Sequence, residues 1–206
     1  MGAGPVSVTE NGLFPAEHRA LRELHAMARH LEAHWNGLAD RLGGEPAEVL
    51  QRGSAAAREL IGELNERTAA HGLHGFPAAQ GVGIWEARLR GASDMLLERN
   101  QALRHAVHDV QYVTTLLAYL AELALRRDDA ALATWHRRWE TRLLEIEDAA
   151  RAAAIAEGKD PERAVLPAES STLGRAGHAV ANGIGTFGEA LDGSPLGRAA
   201  RRLRRQ

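Results

Sequence analysis

The chain has 206 residues, 45% of them hydrophobic, and a formal net charge of −2. It contains no cysteine, which excludes disulfide scaffolds, cysteine nucleophiles and cysteine metal ligands. Alanine, leucine, arginine and glutamate dominate, whereas aromatic residues make up only 4%. This composition favours helices over strands and predicts an all-α protein.

The N-terminal segment, residues 1–13, lacks the basic and apolar regions of a secretory signal, and we expect it to be flexible. No uncharged apolar run approaches the ~20 residues that a membrane-spanning helix needs. We therefore predict a cytoplasmic protein without a transmembrane segment.

The first predicted helix begins at Pro15, a residue suited to the first helical position, and ends at Gly43 and Gly44. Its apolar residues alternate steps of three and four, the heptad spacing of a coiled coil. They are Leu21, Leu24, Ala28, Leu31, Trp35, Leu38 and Leu42. A second helix beginning at Pro46 follows after a short connection, which predicts an antiparallel neighbour.

The third predicted helix lies between residues 79 and 127, a stretch without proline. Unbroken, it would be ~70 Å long at 1.5 Å per residue, much longer than its neighbours. Two alternatives remain open: the helix bends near residues 98–101, or part of it protrudes to meet a second subunit. Arg99 interrupts the apolar series of this helix. It could be a buried residue that makes the packing specific, mark a kink, or lie at the mouth of a pocket.

Asp128 and Asp129 can cap a fourth helix, which Gly158 ends. We therefore predict an up-and-down antiparallel bundle of about four main helices, one of them long, over residues 14–158.

Residues 159–206 form a different, glycine-containing and amphipathic segment, which we predict to be a short helical appendage. Its apolar anchors for a partner are Val180, Ile184, Phe187 and Leu191. Glycine disfavours an isolated helix, so the bundle or a partner must hold the segment. After the last acidic residue, Asp192, the chain carries a basic end consisting of Arg198, Arg201, Arg202, Arg204 and Arg205. These arginines would guide a partner electrostatically.

Four histidines fall within residues 18–34, HRALRELHAMARHLEAH. The heptad register places His18 and His25 beside the apolar seam, His34 on the opposite flank and His30 outward. A metal site in a bundle needs inward-facing ligands from several helices. We therefore predict no metal site and no cofactor, and keep His18, His25 and Glu32 as the alternative metal ligands.

The other helices supply no further ligands on this interpretation. His105 and His108 fall on the outer face of the third helix, and His136 with Glu140 forms an ordinary pair on the helix surface. The sequence Gly183-Ile-Gly-Thr-Phe-Gly188 matches a dinucleotide fingerprint, but it lacks the preceding strand and the later acidic residue that such a site requires.

The leading functional hypothesis is a non-catalytic interaction, scaffold or adaptor protein that self-associates as a homo-oligomer or binds a protein partner through its C-terminal segment. The second is a metal-binding bundle enzyme or sensor that uses the histidines of the first helix. The third is a coat protein of a membrane or granule surface, with peripheral lipid contact through the arginine tail. Nucleic acid is a poor partner, because five arginines without interleaved aromatic residues give only weak, salt-sensitive attraction.

Overall fold

A computed structural model of the protein describes residues 12–73 and 97–168. Within these ranges the chain forms α1 (Pro15–Leu42), α2 (Gly44–Ala69), α3 (Arg99–Arg126) and α4 (Ala130–Ala156), followed by a 3₁₀ turn and the short α5 (Pro161–Ala164). The described part contains no β-strand, only an isolated bridge between Glu98 and Pro167. The prediction of an all-α helical bundle is confirmed.

The four long helices form two antiparallel hairpins. We call α1 with α2 the first hairpin and α3 with α4 the second hairpin. Within each hairpin the two helices pack along each other, and the hairpins meet where α1 contacts α3 and α2 contacts α4. Arg127, just after α3, reaches Glu17 in the first turn of α1, which shows that α1 and α3 also run antiparallel.

The predicted helix ends agree closely with the structure. Pro15 occupies the first turn of α1, and Gly43 ends that helix with a φ of 64°, a left-handed conformation that glycine adopts without strain. The side chain of Asp129 accepts a hydrogen bond from the Leu132 backbone N–H and caps α4. Asp160 caps α5 in the same way, through the Arg163 N–H.

The described part of the third helix begins at Arg99, within the range 98–101 where a bend was one of the two alternatives, and no helix continues through residues 97 and 98. The predicted helical stretch before residue 97 lies outside the described residues. The backbone N–H of Glu98 donates a hydrogen bond of 3.2 Å to the side-chain oxygen of Gln101. Arg99 is buried, and its Nε lies 3.4 Å from a carboxylate oxygen of Glu157. Arg99 therefore ties the start of α3 to the end of α4 by an ion pair.

The core is a continuous apolar cluster to which all four long helices contribute. Trp35 and Trp139 are its largest fully buried side chains. Gly53 of α2 lies directly against the ring of Trp35, since a Cβ at this position would come within 2.2 Å of the ring carbon Cζ3. Among the described helices, none has the length and apolar character required to cross a membrane.

Candidate metal centre

Three potential metal ligands meet in the core where α1 faces α3. His30 and His34 are one turn apart on α1, and Asp109 lies opposite them on α3. All three are buried, with exposed fractions of 1%, 2% and 3%. Side chains four residues apart share one face of a helix, so the two imidazoles reach the same point from one helix.

The two histidines contact different oxygens of the same carboxylate. Nδ1 of His34 lies 2.6 Å from Oδ2 of Asp109, and Nε2 of His30 lies 3.3 Å from Oδ1. The imidazole rings stack with their centroids 5.4 Å apart. One nitrogen of each histidine and one oxygen of Asp109 all lie within 4.8 Å of one another.

The carboxyl of Asp109 is held in its charged form. Burial acts to raise its pKa, but the imidazoles of His30 and His34 oppose this effect and hold the pKa well below its usual range. A carboxylate can only accept hydrogen bonds, so His34 donates its Nδ1–H to Asp109. The core therefore contains a negative charge between two imidazoles.

His30 is less well satisfied than His34. Neither ring nitrogen of His30 forms a hydrogen bond with the described residues, although Nε2 is close enough to Asp109 for an electrostatic contact. Buried polar atoms in native proteins normally have hydrogen-bond partners, and an exception calls for a specific explanation. Binding of a ligand to the lone pair of an imidazole nitrogen is such an explanation.

The donor types are those that bind a transition-metal ion, and one of their separations already has the value of a metal site. Imidazole nitrogen and carboxylate oxygen bind Zn²⁺ at about 2.0–2.2 Å, which places ligand atoms in a tetrahedral site ~3.3 Å apart. The separation between His30 and Asp109 already has this value, at 3.3 Å. The hydrogen-bonded pair of His34 and Asp109, at 2.6 Å, would have to open by less than 1 Å.

This arrangement corrects the sequence-based interpretation of the first helix. The prediction that His30 points outward is wrong. His34 lies in the core rather than on the flank of the apolar seam of α1. The reason is that α1 packs against α3 as well as α2, so it buries a wider face than its heptad seam alone.

The structure does not bring the alternative ligands His18, His25 and Glu32 together. His18 is half-buried in the second turn of α1. Nε2 of His25 bonds to the Asn65 side-chain oxygen at 2.9 Å. Glu32 forms ion pairs with Arg29 and Arg58. In the two described ranges, the potential ligands that converge are His30, His34 and Asp109.

The remaining histidines fall into two groups. His108 is exposed and His105 half-buried, in partial agreement with their predicted outer position. The interpretation of His136 as a surface residue paired with Glu140 is wrong. Its side chain is fully buried, both ring nitrogens lack a hydrogen-bond partner in the described part of the chain, and its ring lies edge-on to Trp135.

The predicted partner-binding residues lie outside the described residues. This applies to all nine of them: Val180, Ile184, Phe187, Leu191, Arg198, Arg201, Arg202, Arg204 and Arg205. The interaction hypothesis for the C-terminal segment stays a prediction.

Comparison with known proteins gives no match. The chain fits no protein-family profile, and neither curated proteins nor solved structures show significant similarity to it. The chemistry of the buried cluster is therefore the basis for a functional assignment.

Proposed function

We propose that this chain is a metal-binding helical-bundle protein that takes one divalent transition-metal ion, of the zinc class, at His30, His34 and Asp109. The observation that carries the proposal is the convergence of two imidazoles and a charged carboxylate at a fully buried point. The proposal keeps the second of the sequence-based hypotheses but assigns the site to different residues.

The donor set selects among metal ions. Mg²⁺ and Ca²⁺ take oxygen ligands, and His30 and His34 offer only nitrogen. Cu(I) favours thiolate and thioether ligands, and the chain has no cysteine. Imidazole with carboxylate suits Zn²⁺, Co²⁺, Ni²⁺ and Cu²⁺. We use Zn²⁺ as the test ion, with Co²⁺ as its spectroscopic substitute.

A metal ion also relieves two electrostatic costs of the buried cluster. The charge of Asp109 is expensive in a low-dielectric core, and a divalent cation compensates this charge directly. The incomplete hydrogen bonding of the His30 ring is the second cost, because metal coordination satisfies one of its nitrogens.

The test is a zinc titration of the full chain, produced without a histidine tag and stripped with a chelator. Isothermal calorimetry should give about one zinc ion per chain. His34→Ala should weaken the affinity by at least ~100-fold, because it removes a direct ligand, whereas changes of supporting residues cost about 10–100-fold. The matched control is His108→Ala, which removes an exposed histidine of α3 and should bind zinc like the unchanged protein.

Two results would overturn the proposal. One is the absence of saturable zinc binding by the unchanged chain. The other is equal affinity of the unchanged chain and His34→Ala, each shown to be folded by circular dichroism, which would place the zinc elsewhere.

A further inference from the structure

The candidate metal centre lies between the two hairpins rather than inside one of them. His30 and His34 belong to the first hairpin, and Asp109 belongs to the second. A metal ion bound by these residues would therefore join the hairpins directly. The inference below rests on the proposed function.

The edge where α1 meets α3 buries several charged and titratable groups. Besides the metal centre it contains Glu17, which is fully buried and bonded by both Nε and Nη2 of Arg127. The opposite edge, where α2 meets α4, has its carboxylate–arginine ion pairs at the surface, although it also buries the imidazole of His136. There the side chains of Glu59 and Glu63 are 56% and 38% exposed in their ion pairs with Arg142 and Arg138.

Buried ion pairs contribute little net stability, because the cost of removing the charges from water offsets their attraction. The buried ion pairs of the edge between α1 and α3 therefore hold it less firmly than apolar side chains at the same positions would. A metal ion at the centre of this edge adds coordinate bonds that join α1 to α3, which an ion pair does not provide.

The connections within the hairpins differ from the connection between them. A single residue, Gly43, separates α1 from α2, and only residues 127–129 separate α3 from α4. Residues 70–98 separate the two hairpins in the chain. Short connections restrain the two helices of each hairpin to each other.

We propose that metal binding controls how the two hairpins dock along the edge between α1 and α3. With metal bound, His30 and His34 are fixed against Asp109 and the edge is closed. Without metal, the hairpins separate more readily at this edge, while each hairpin keeps its own packing. A change in metal occupancy would then change how far the facing surfaces of α1 and α3 are exposed to solvent.

The absence of cysteine allows two spin labels to be placed without background labelling. One label pair, Asn36→Cys with Thr115→Cys, spans the edge between α1 and α3 at exposed positions. The control pair, Asn36→Cys with Gln51→Cys, lies within the first hairpin. Double electron–electron resonance on the full chain gives the distance distribution of each pair with and without Zn²⁺.

Zinc should narrow the distance distribution of the label pair across the edge and remove its longer distances. It should leave the distance distribution of the control pair unchanged. His34→Ala in the same labelled chain should abolish the narrowing. Unchanged distances across the edge, in protein that calorimetry shows to bind zinc, would overturn the docking proposal and leave the metal site standing. Lack of zinc binding in calorimetry would instead overturn the proposed function itself.

Discussion

His34 and Asp109, 75 residues apart in the chain, are joined in the core by a hydrogen bond of 2.6 Å between Nδ1 and Oδ2. The bond links α1 to α3 and fixes the orientation of one imidazole toward the carboxylate. His30, one turn earlier, reaches the second oxygen of the same carboxylate but lacks hydrogen bonds on its ring. The cluster is thus partly organised by protein contacts and retains capacity for a ligand.

The carboxylate of Asp109 should matter for stability even without metal. Asp109→Leu removes the buried carboxylate and leaves the Nδ1–H of His34 buried without this acceptor, which costs about 1–3 kcal/mol. Urea unfolding in the presence of a chelator measures this loss. Asp148→Leu, at an exposed position of α4, is the control and should change the free energy of unfolding by less than ~0.5 kcal/mol. Equal effects of the two substitutions would contradict the arrangement described for Asp109.

The contact between Gly53 and Trp35 predicts opposite effects of the same substitution at two glycines of α2. Gly53→Ala places a methyl group within 2.2 Å of the Trp35 ring, and such overpacking costs about 1–3 kcal/mol. Gly62→Ala, where a Cβ meets nothing within 4 Å, should stabilise the helix by up to ~1 kcal/mol. Chemical denaturation of both variants checks the prediction, and a stabilising Gly53→Ala would show that the two helices do not approach so closely.

The fully buried His136 predicts a loss of stability in mild acid. Burial and the nearby charge of Arg67 lower its pKa to about 4, whereas the unfolded chain has the ordinary value of 6.5. Between these two values the unfolded state binds more protons than the folded state. The free energy of unfolding therefore falls as the pH drops from 6.5 to 4, by about 3 kcal/mol in total.

The variant His136→Leu separates this effect from the titration of other groups. It keeps the site apolar and removes the proton-binding group. The decline of the free energy of unfolding between pH 6.5 and pH 4 should therefore become shallower. Thermal or urea unfolding at several pH values gives the comparison. The same pH dependence in both proteins would mean that His136 is not buried in the neutral form.

The bidentate bond from Arg127 to Glu17 should stabilise the end of the bundle. Arg127→Ala leaves the fully buried Glu17 without its arginine partner, although the Phe14 N–H still donates to it, and should cost about 2–3 kcal/mol. This is less than the ~3–5 kcal/mol typical of breaking a fully buried pair, because Arg127 keeps some contact with water. Arg126→Ala, at the neighbouring exposed position, is the control. Indistinguishable unfolding curves of the two variants would argue against a buried ion pair.

The helices could be predicted from the sequence because their signals are local. Pro15, the pair Gly43 and Gly44, and Asp129 mark helix ends through their own backbone preferences and side-chain hydrogen bonds. The heptad spacing of the apolar residues of α1 then identified the side that faces the core centre. Each of these signals lies within one or two turns of the element that it specifies.

The cluster of His30, His34 and Asp109 could not be predicted because it depends on a contact between distant helices. The spacing of His30 and His34 was visible in the sequence, but the heptad seam alone placed His30 outward. Only the packing of α3 against a second side of α1 buries both rings and brings Asp109 opposite them. His136 was misplaced for the same reason, since its burial depends on neighbouring helices and not on the pattern of α4 alone.

An anomalous difference map of zinc-loaded crystals, recorded at the zinc absorption edge, tests the central claim most directly. We expect one strong peak bounded by His30, His34 and Asp109, about 2.0–2.2 Å from two imidazole nitrogens and a carboxylate oxygen. A peak at other residues, with the hydrogen bond between His34 and Asp109 unchanged, would contradict the account.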